Sequence, residues 1–263
     1  MRIMSSHKIS KVNQMLQNLV PGTVLTPAWL ADQGVSKDLA RRYVASGWLE
    51  RVGRGAYMRT GDSVDWQGAV HTLQSQLGLT VHVAGLSALQ LKGLGHYLSM
   101  GEQDSILLFS DGSERLPTWF TVKDWGVEIV HRCAHLFDSS GNLPWASVEH
   151  KGFRIRVSPP ERAAFEMLYC IADNAAFDHT RTVFEGLGSL RPQEVQKLLE
   201  ACRSVRVKRL FLWMAKDCAH PWLKYIDPDP VDLGSGKRVV YEGGELDGEL
   251  LITVPRRKED ADV

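Results

Sequence analysis

Residues 36–59, SKDLARRYVASGWLERVGRGAYMR, decide the fold. Ser36 stands where a helix N-cap is wanted, because its hydroxyl can accept from a backbone N–H that the first turn leaves without a partner. Behind it Leu39, Ala40, Tyr43 and Val44 share one face at helical spacing, while Asp38, Arg41, Arg42 and Ala45 look the other way. Gly47 closes this helix, and two short runs containing Leu, Val, Tyr and Met follow, joined by Gly53-Arg54-Gly55. Glycine permits the positive φ of a tight hairpin, so the only side chain expected at the tip is Arg54.

Upstream, Ile9, Val12, Leu16 and Leu19 recur at helical spacing and stop at the turn dipeptide Pro21-Gly22. Thr26-Pro27 then starts a second helix, with Thr as cap and Pro at the first helical position, where its missing donor costs nothing. Three helices and a basic hairpin predict a winged helix-turn-helix over residues 1–62.

Downstream the pattern turns to mixed α and β. Helices are expected over 66–77, 86–91, from Pro160 through Ile171, and twice within 191–218, with a short run over 80–84 between the first two; strands are expected over 105–110, 119–122, 127–131, 153–157, 238–241 and 250–254. Gly93, Gly95 and Gly101 break the chain between elements, and residues 257–263 read as a frayed tail. The fold class is therefore α+β, a winged helix-turn-helix followed by a mixed α/β C-terminal domain over 63–256.

The 263 residues carry 31 Lys plus Arg against 31 Asp plus Glu, which excludes a uniformly basic or acidic protein. That balance hides an asymmetry. Residues 1–60 hold nine basic side chains (Arg2, Lys8, Lys11, Lys37, Arg41, Arg42, Arg51, Arg54, Arg59) against three acidic ones (Asp32, Asp38, Glu50), so this segment carries +6 and the remainder −6. A basic helix-turn-helix points to a polyanion, and double-stranded DNA is the expected partner. Arg41 and Arg42 are placed to reach base edges or phosphates, Lys37 to reach a phosphate, and Arg54 to probe a minor groove; Arg51 and Arg59 add charge to the same hairpin. Four cysteines without a CxxC pair suggest a reduced, cytoplasmic protein, and no signal peptide or membrane span is expected.

Several motif fragments fall short of chemistry. Leu233 to Arg238 looks like part of a phosphate-binding loop, but position 231 is Val231 rather than Gly and position 238 is Arg238 rather than Ser or Thr. Gly93-Leu94-Gly95 has Leu98 where a dinucleotide fingerprint needs its third glycine. Gly112-Ser113 with Asp124 echoes a nucleotidyltransferase site, yet Gly126 stands where a second metal-holding acid is needed. His131, Cys133 and His135 alternate along a strand but have no evident fourth ligand. No cofactor, metal or catalytic residue is assigned. Residues 203–209, RSVRVKR, leave two readings open. Arg203, Arg206, Lys208 and Arg209, with Lys237 and Arg238, form either a second basic patch for a partner or a solvated helix face whose buried side is Val205, Val207, Leu210 and Trp213.

The hairpin WLERVGRGAYMR (48–59), the helix start RVSPPERAAFEML (156–168), VKRLFLWMAK (207–216) followed by HPWLKYID (220–227), and LGSGKRVVYEGGELDGELLITVP (233–255) together resemble the AbiEi family of antitoxins from type IV toxin–antitoxin, or abortive infection, systems. The resemblance spans residues 8 to 256 or so and is most specific in its C-terminal motifs. It implies a bacterial, non-enzymatic protein whose winged helix represses its own operon at inverted repeats. Its C-terminal domain would counter a nucleotidyltransferase-like toxin without necessarily forming a stable complex. Inverted repeats imply two winged helices per site, in a preformed dimer or in two monomers assembling on DNA. An enzyme targeted to nucleic acid or toxin, drawing on scattered acids such as Asp104, Glu128 and Glu149, and a pure protein-interaction module remain the alternatives.

Overall fold

The structure, a computed structural model, describes residues 11–94, 105–138 and 143–256. The sequence features at Arg2, Lys8, Ile9, Gly95, Leu98, Gly101, Asp104 and 257–263 lie outside those residues. In chain order the elements are α1 (Lys11–Asn18), α2 (Pro27–Asp32), α3 (Lys37–Ala45), β1 (Leu49–Gly53), β2 (Ala56–Arg59) and α4 (Trp66–Ser75). Next come β3 (His82–Val83), α5 (Gly85–Leu91), β4 (Ser105–Ser110), α6 (Thr118–Val122), β5 (Glu128–Cys133), β6 (Ala146–His150) and β7 (Phe153–Val157). The last stretch holds α7 (Pro160–Tyr169), α8 (Asn174–Glu185), α9 (Pro192–Ala201), α10 (Val205–Asp217), β8 (Glu245–Asp247) and β9 (Ile252–Val254).

These elements cluster into two units. One takes the described residues up to Val81 together with Glu114–Glu128 and Glu149–Ile155; the other takes His82–Ser113, Ile129–Val148 and the chain from Arg156 onward.

The first unit has the element order of a winged helix-turn-helix. Met15, Leu19, Leu25, Leu30, Val35, Ala40, Leu49 and Tyr57 form its core, and Leu39, Tyr43 and Val44 pack on it, as the helical spacing of α3 demands. Both expected caps form: the Thr26 hydroxyl accepts from Trp29 N–H at 3.2 Å and the Ser36 hydroxyl from Leu39 N–H at 3.3 Å. β1 and β2 pair antiparallel, and Leu25 exchanges backbone hydrogen bonds of 2.7 and 3.0 Å with Tyr57, which anchors the tip-side end of β2. At the tip Gly55 takes the positive φ, 74°. Gly53 does not, and its lack of a side chain answers a different need: an added Cβ would stand 2.9 Å from Cβ of Trp119.

The expected domain boundary at residue 62 falls inside this unit, because α4 clamps the segment leading into α2. Thr72 Oγ1 accepts from Val24 N–H at 3.1 Å and lies 2.9 Å from Val24 O, and Gln76 bonds both Thr26 N–H and Val24 O. Gly68 is obligatory there, since a Cβ would sit 1.9 Å from Gly22 O. Asp65 caps α4 through Gly68 N–H and receives His150 Nε2 and Lys151 Nζ, each at 2.8 Å. Burial pushes the Asp65 pKa up, but the hydrogen bonds from Lys151, Gly68 and His150 outweigh it and hold the carboxyl below its usual value.

Elsewhere a five-stranded sheet runs β5-β4-β3-β7-β6, with β3 antiparallel to β4 and parallel to β7. The expected strand over 119–122 is instead helix α6. Pro117 supplies a preset φ of −66° and a carbonyl that accepts from Phe120 and Thr121 N–H, which overrides the strand preference of Trp, Phe, Thr and Val. The run 238–241 is irregular: Val240 N–H is taken by the Thr253 hydroxyl rather than by a ladder carbonyl, and the short ladder forms between β8 and β9. Helix α8, capped by Asp173 on Ala176 N–H at 2.8 Å, and strand β6 have no counterpart among the sequence expectations.

The second unit is organised around Glu166 of α7, whose side chain is fully buried. Its carboxylate is hydrogen-bonded by His82 Nε2 of β3 (2.9 Å), Gly85 N–H at the start of α5 (3.2 Å), Ser158 Oγ after β7 (2.6 Å) and Arg162 Nε (2.8 Å). Burial alone would raise its pKa. The His82 and Arg162 charges and the Ser158 hydroxyl overcome that and depress it from 4.5 to about 2. Because the folded pKa lies below the unfolded one, the stabilisation is present above the ordinary carboxylate range and is lost as pH falls from 4.5 toward about 2. Glu166→Gln should therefore lower stability at neutral pH by about 3–5 kcal/mol and flatten the acid limb of a urea-midpoint-against-pH curve.

Candidate nucleic-acid interface

A groove of about 730 Å³ is lined jointly by α2, α3 and the β1–β2 wing. Leu30, Val35, Ala40 and Tyr57 contribute to its lining beside four cations, Lys37, Arg41, Arg51 and Arg54. Lys37 and Arg41 lie one helical turn apart on α3, while Arg51 and Arg54 come from the wing, so two separate elements bring the charges together. All four are exposed. Of the six residues that the sequence singled out, Arg42 and Arg59 are exposed as well but do not line the groove. Arg59 pairs with Leu49 at the end of the hairpin away from the tip. Arg41 Nη1 makes a 3.2 Å ion pair with Asp38 on the same face, an exposed pair that holds the guanidinium in place at little energetic depth. The α2 contribution, Pro27 and Ala31, is not among the residues that the sequence singles out.

The second candidate surface does not form as a patch. Lys208 and Arg209 are buried, at 4% and 2% exposure. Helix α10 buries Val207, Leu210, Phe211, Trp213, Met214 and Ala215, so too little of its circumference is left for all four cations. Arg209 is instead structural. Its Nε donates to Leu233 O (2.8 Å), Nη1 to Gly236 O (2.6 Å) and Leu251 O (3.4 Å), and Nη2 to Gly234 O (3.1 Å). The loop that resembles a phosphate-binding fragment is therefore wrapped around a guanidinium, its carbonyls turned inward. Arg206 is half-buried and donates to Ile171 O at 3.0 Å, and burial lowers its pKa. Only Arg203, paired with Asp138 at 3.5 Å, and Lys237 and Arg238 are exposed.

The remaining fragments settle into ordinary roles. His131 shares a 2.9 Å hydrogen bond with Ser110 and lies 3.7 Å from Cys133 Sγ, while His135 bonds Asp111 at 2.9 Å. Among the described residues no three His, Cys, Asp or Glu side chains are grouped to hold a metal ion. Asp124 accepts from Gly126 N–H within its own turn. Among the described residues no disulfide joins the four cysteines, and burial raises the thiol pKa of Cys170, Cys202 and Cys218 to about 11. Among the described residues no helix is long and apolar enough to cross a membrane.

Element order and groove are those of an α+β protein that opens with the elements of a winged helix and continues into a mixed α/β C-terminal region. Residues 8–100 match the family model described as the transcriptional regulator AbiEi antitoxin N-terminal domain, and residues 103–255 match that of the transcriptional regulator AbiEi antitoxin of a type IV toxin–antitoxin system. The chain belongs to this AbiEi antitoxin family. It is also similar to the crystal structure of the RV2827C protein from Mycobacterium tuberculosis, with a TM-score of 0.52 and 14% sequence identity over 88% of this chain and 85% of that one, a likeness of fold alone. No curated protein sequence matches.

Arg209→Ala should leave several inward-facing carbonyls unsatisfied and lower stability by about 3–5 kcal/mol in urea denaturation. Lys237→Ala and Arg238→Ala, at exposed positions, should each stay within about 0.5 kcal/mol of wild type.

Proposed function

We propose that this chain is an antitoxin that represses its own toxin–antitoxin operon by occupying an inverted repeat in promoter DNA through the α3–wing groove. It acts by binding rather than catalysis, in the cytoplasm. The observation that carries the reading is the convergence of Lys37, Arg41, Arg51 and Arg54 on one groove from two elements. In this reading α3 lies in the major groove with Arg41 against a guanine edge, where its planar fork can pair with O6 and N7 together. Lys37 meets a flanking phosphate, and Arg54 enters the neighbouring minor groove, whose negative potential favours arginine. Two copies, each on one half-site, fit the two-fold symmetry of an inverted repeat. Family membership supports the partner assignment. The C-terminal half is the part that counters a cognate nucleotidyltransferase-like toxin, with or without a lasting complex.

The deciding experiment is binding of the full chain to duplex from immediately upstream of its own gene, beside a scrambled duplex, across a salt series. Specific repression requires a preference of about 10³-fold or more, with log K falling steeply with log salt. Equal, weak binding to both duplexes would overturn the reading. Arg41→Ala should cost about 1–3 kcal/mol and relax preference at one base position, whereas Lys37→Ala should weaken all sequences alike.

A further inference from the structure

The wing of the proposed DNA interface leans on a block of aromatic residues that the chain supplies some sixty positions later. Gly53 ends β1 and lines the groove one residue before Arg54. A Cβ at Gly53 would stand 2.9 Å from Cβ of Trp119, a spacing that real Cβ atoms essentially never show, and 3.2 Å from its Cα. The main chain of β1 and the start of the Trp119 side chain on α6 are thus in direct contact, with no room between them. The β1 register shifts between Arg51 and Gly53, so the strand bends where it meets α6. Trp119 is itself held fast. It is buried, its ring packs edge-on against Phe120 (5.8 Å, 85°) and Trp125 (6.5 Å, 78°), and Trp125 Nε1 donates to Phe120 O at 2.8 Å.

Resting on the DNA-binding reading above, we infer that Gly53 and Trp119 are positioning residues for DNA recognition: the α6 block fixes the angle at which the hairpin presents Arg54 to the duplex. The opposite strand is held separately through the Leu25–Tyr57 bridge, at the residue that faces Arg51 across the hairpin. Losing the α6 contact therefore lets β1 and Arg54 shift against an anchored β2 without dismantling the hairpin. A side chain at 53 would pry the strand from α6 and carry Arg54 away from its phosphate or minor-groove contact.

The test is a double-mutant cycle on the full chain with the promoter duplex as probe, comparing wild type, Gly53→Ala, Arg54→Ala and the double variant across a salt series. Gly53→Ala is expected to weaken operator binding about 10-fold or more and to flatten the salt slope by about 0.9, the signature of one lost phosphate contact. Arg54→Ala, damaging in wild type, should cost less than about 2-fold more in the Gly53→Ala background, because the tip is already displaced. Trp119→Leu, which keeps the glycine and the Cβ it touches but removes the ring that packs on Phe120 and Trp125, should loosen the block and move both readouts in the same direction, and serves in place of a Gly53→Ala protein that fails to fold. Unchanged affinity in both Gly53→Ala and Trp119→Leu, or losses at 53 and 54 that simply multiply, would sink the inference, as would an Arg54→Ala protein that binds like wild type. A wild type without promoter preference would instead sink the function itself, so the two failures read differently.

Discussion

A fully buried carboxylate must be compensated where it sits, and Glu166 meets that demand by recruiting donors from four separate places in the chain. His82 comes from the sheet, Gly85 from the start of α5, Ser158 from the end of β7 and Arg162 from one turn earlier on α7, so leaving any of them out of register exposes a charge to a low-dielectric interior. Arg209 is the same device with the sign reversed. There a buried cation gathers carbonyls from Leu233, Gly234, Gly236 and Leu251, and so pins the C-terminal loop to α10. Among the described residues no buried side-chain nitrogen or oxygen lacks a partner. Each charge is satisfied by its own set of groups rather than by the other.

The first unit handles charge the opposite way. Its core cluster is apolar, and its groove cations stand exposed to solvent. That is the arrangement a polyanion binder needs, because an exposed cation can neutralise a phosphate and release its condensed counterion. The Arg41–Asp38 pair suits this economy, since an exposed contact orients the guanidinium yet yields easily to a stronger bidentate partner.

How much of this was legible depended on sequence distance. The caps at Thr26 and Ser36, the faces of α3 and the hairpin are local features, and the residues announce them. The four groove cations were named from the same segment, although their convergence on one groove, and the separation of Arg42 and Arg59 from it, needed the hairpin's placement beside α3. Lys208 and Arg209 were misplaced because charge normally means surface, and the carbonyls that make burial tolerable for Arg209 lie 24 to 42 residues further on. Helix α6 was hidden by side chains that favour strands, and the reason for Gly53 by a tryptophan far away in the chain. Asp65 likewise finds His150 and Lys151 at separations of 85 and 86 residues, beyond the reach of any periodicity.

The chain visits the first unit three times, and that weaving bears on how such proteins can change over generations. A gene exchange that imported a new operator specificity by replacing the first 62 codons, or even the first 100, would part Gly53 from Trp119 and Asp65 from His150 and Lys151. The hybrid would inherit a wing without its backing and a capped helix without its counter-charges. The proposed operator surface is thus not a detachable cassette in this chain. Its support reaches codons as far along as residue 155, so a new specificity would come from point changes on the groove itself rather than from borrowing a ready-made reader.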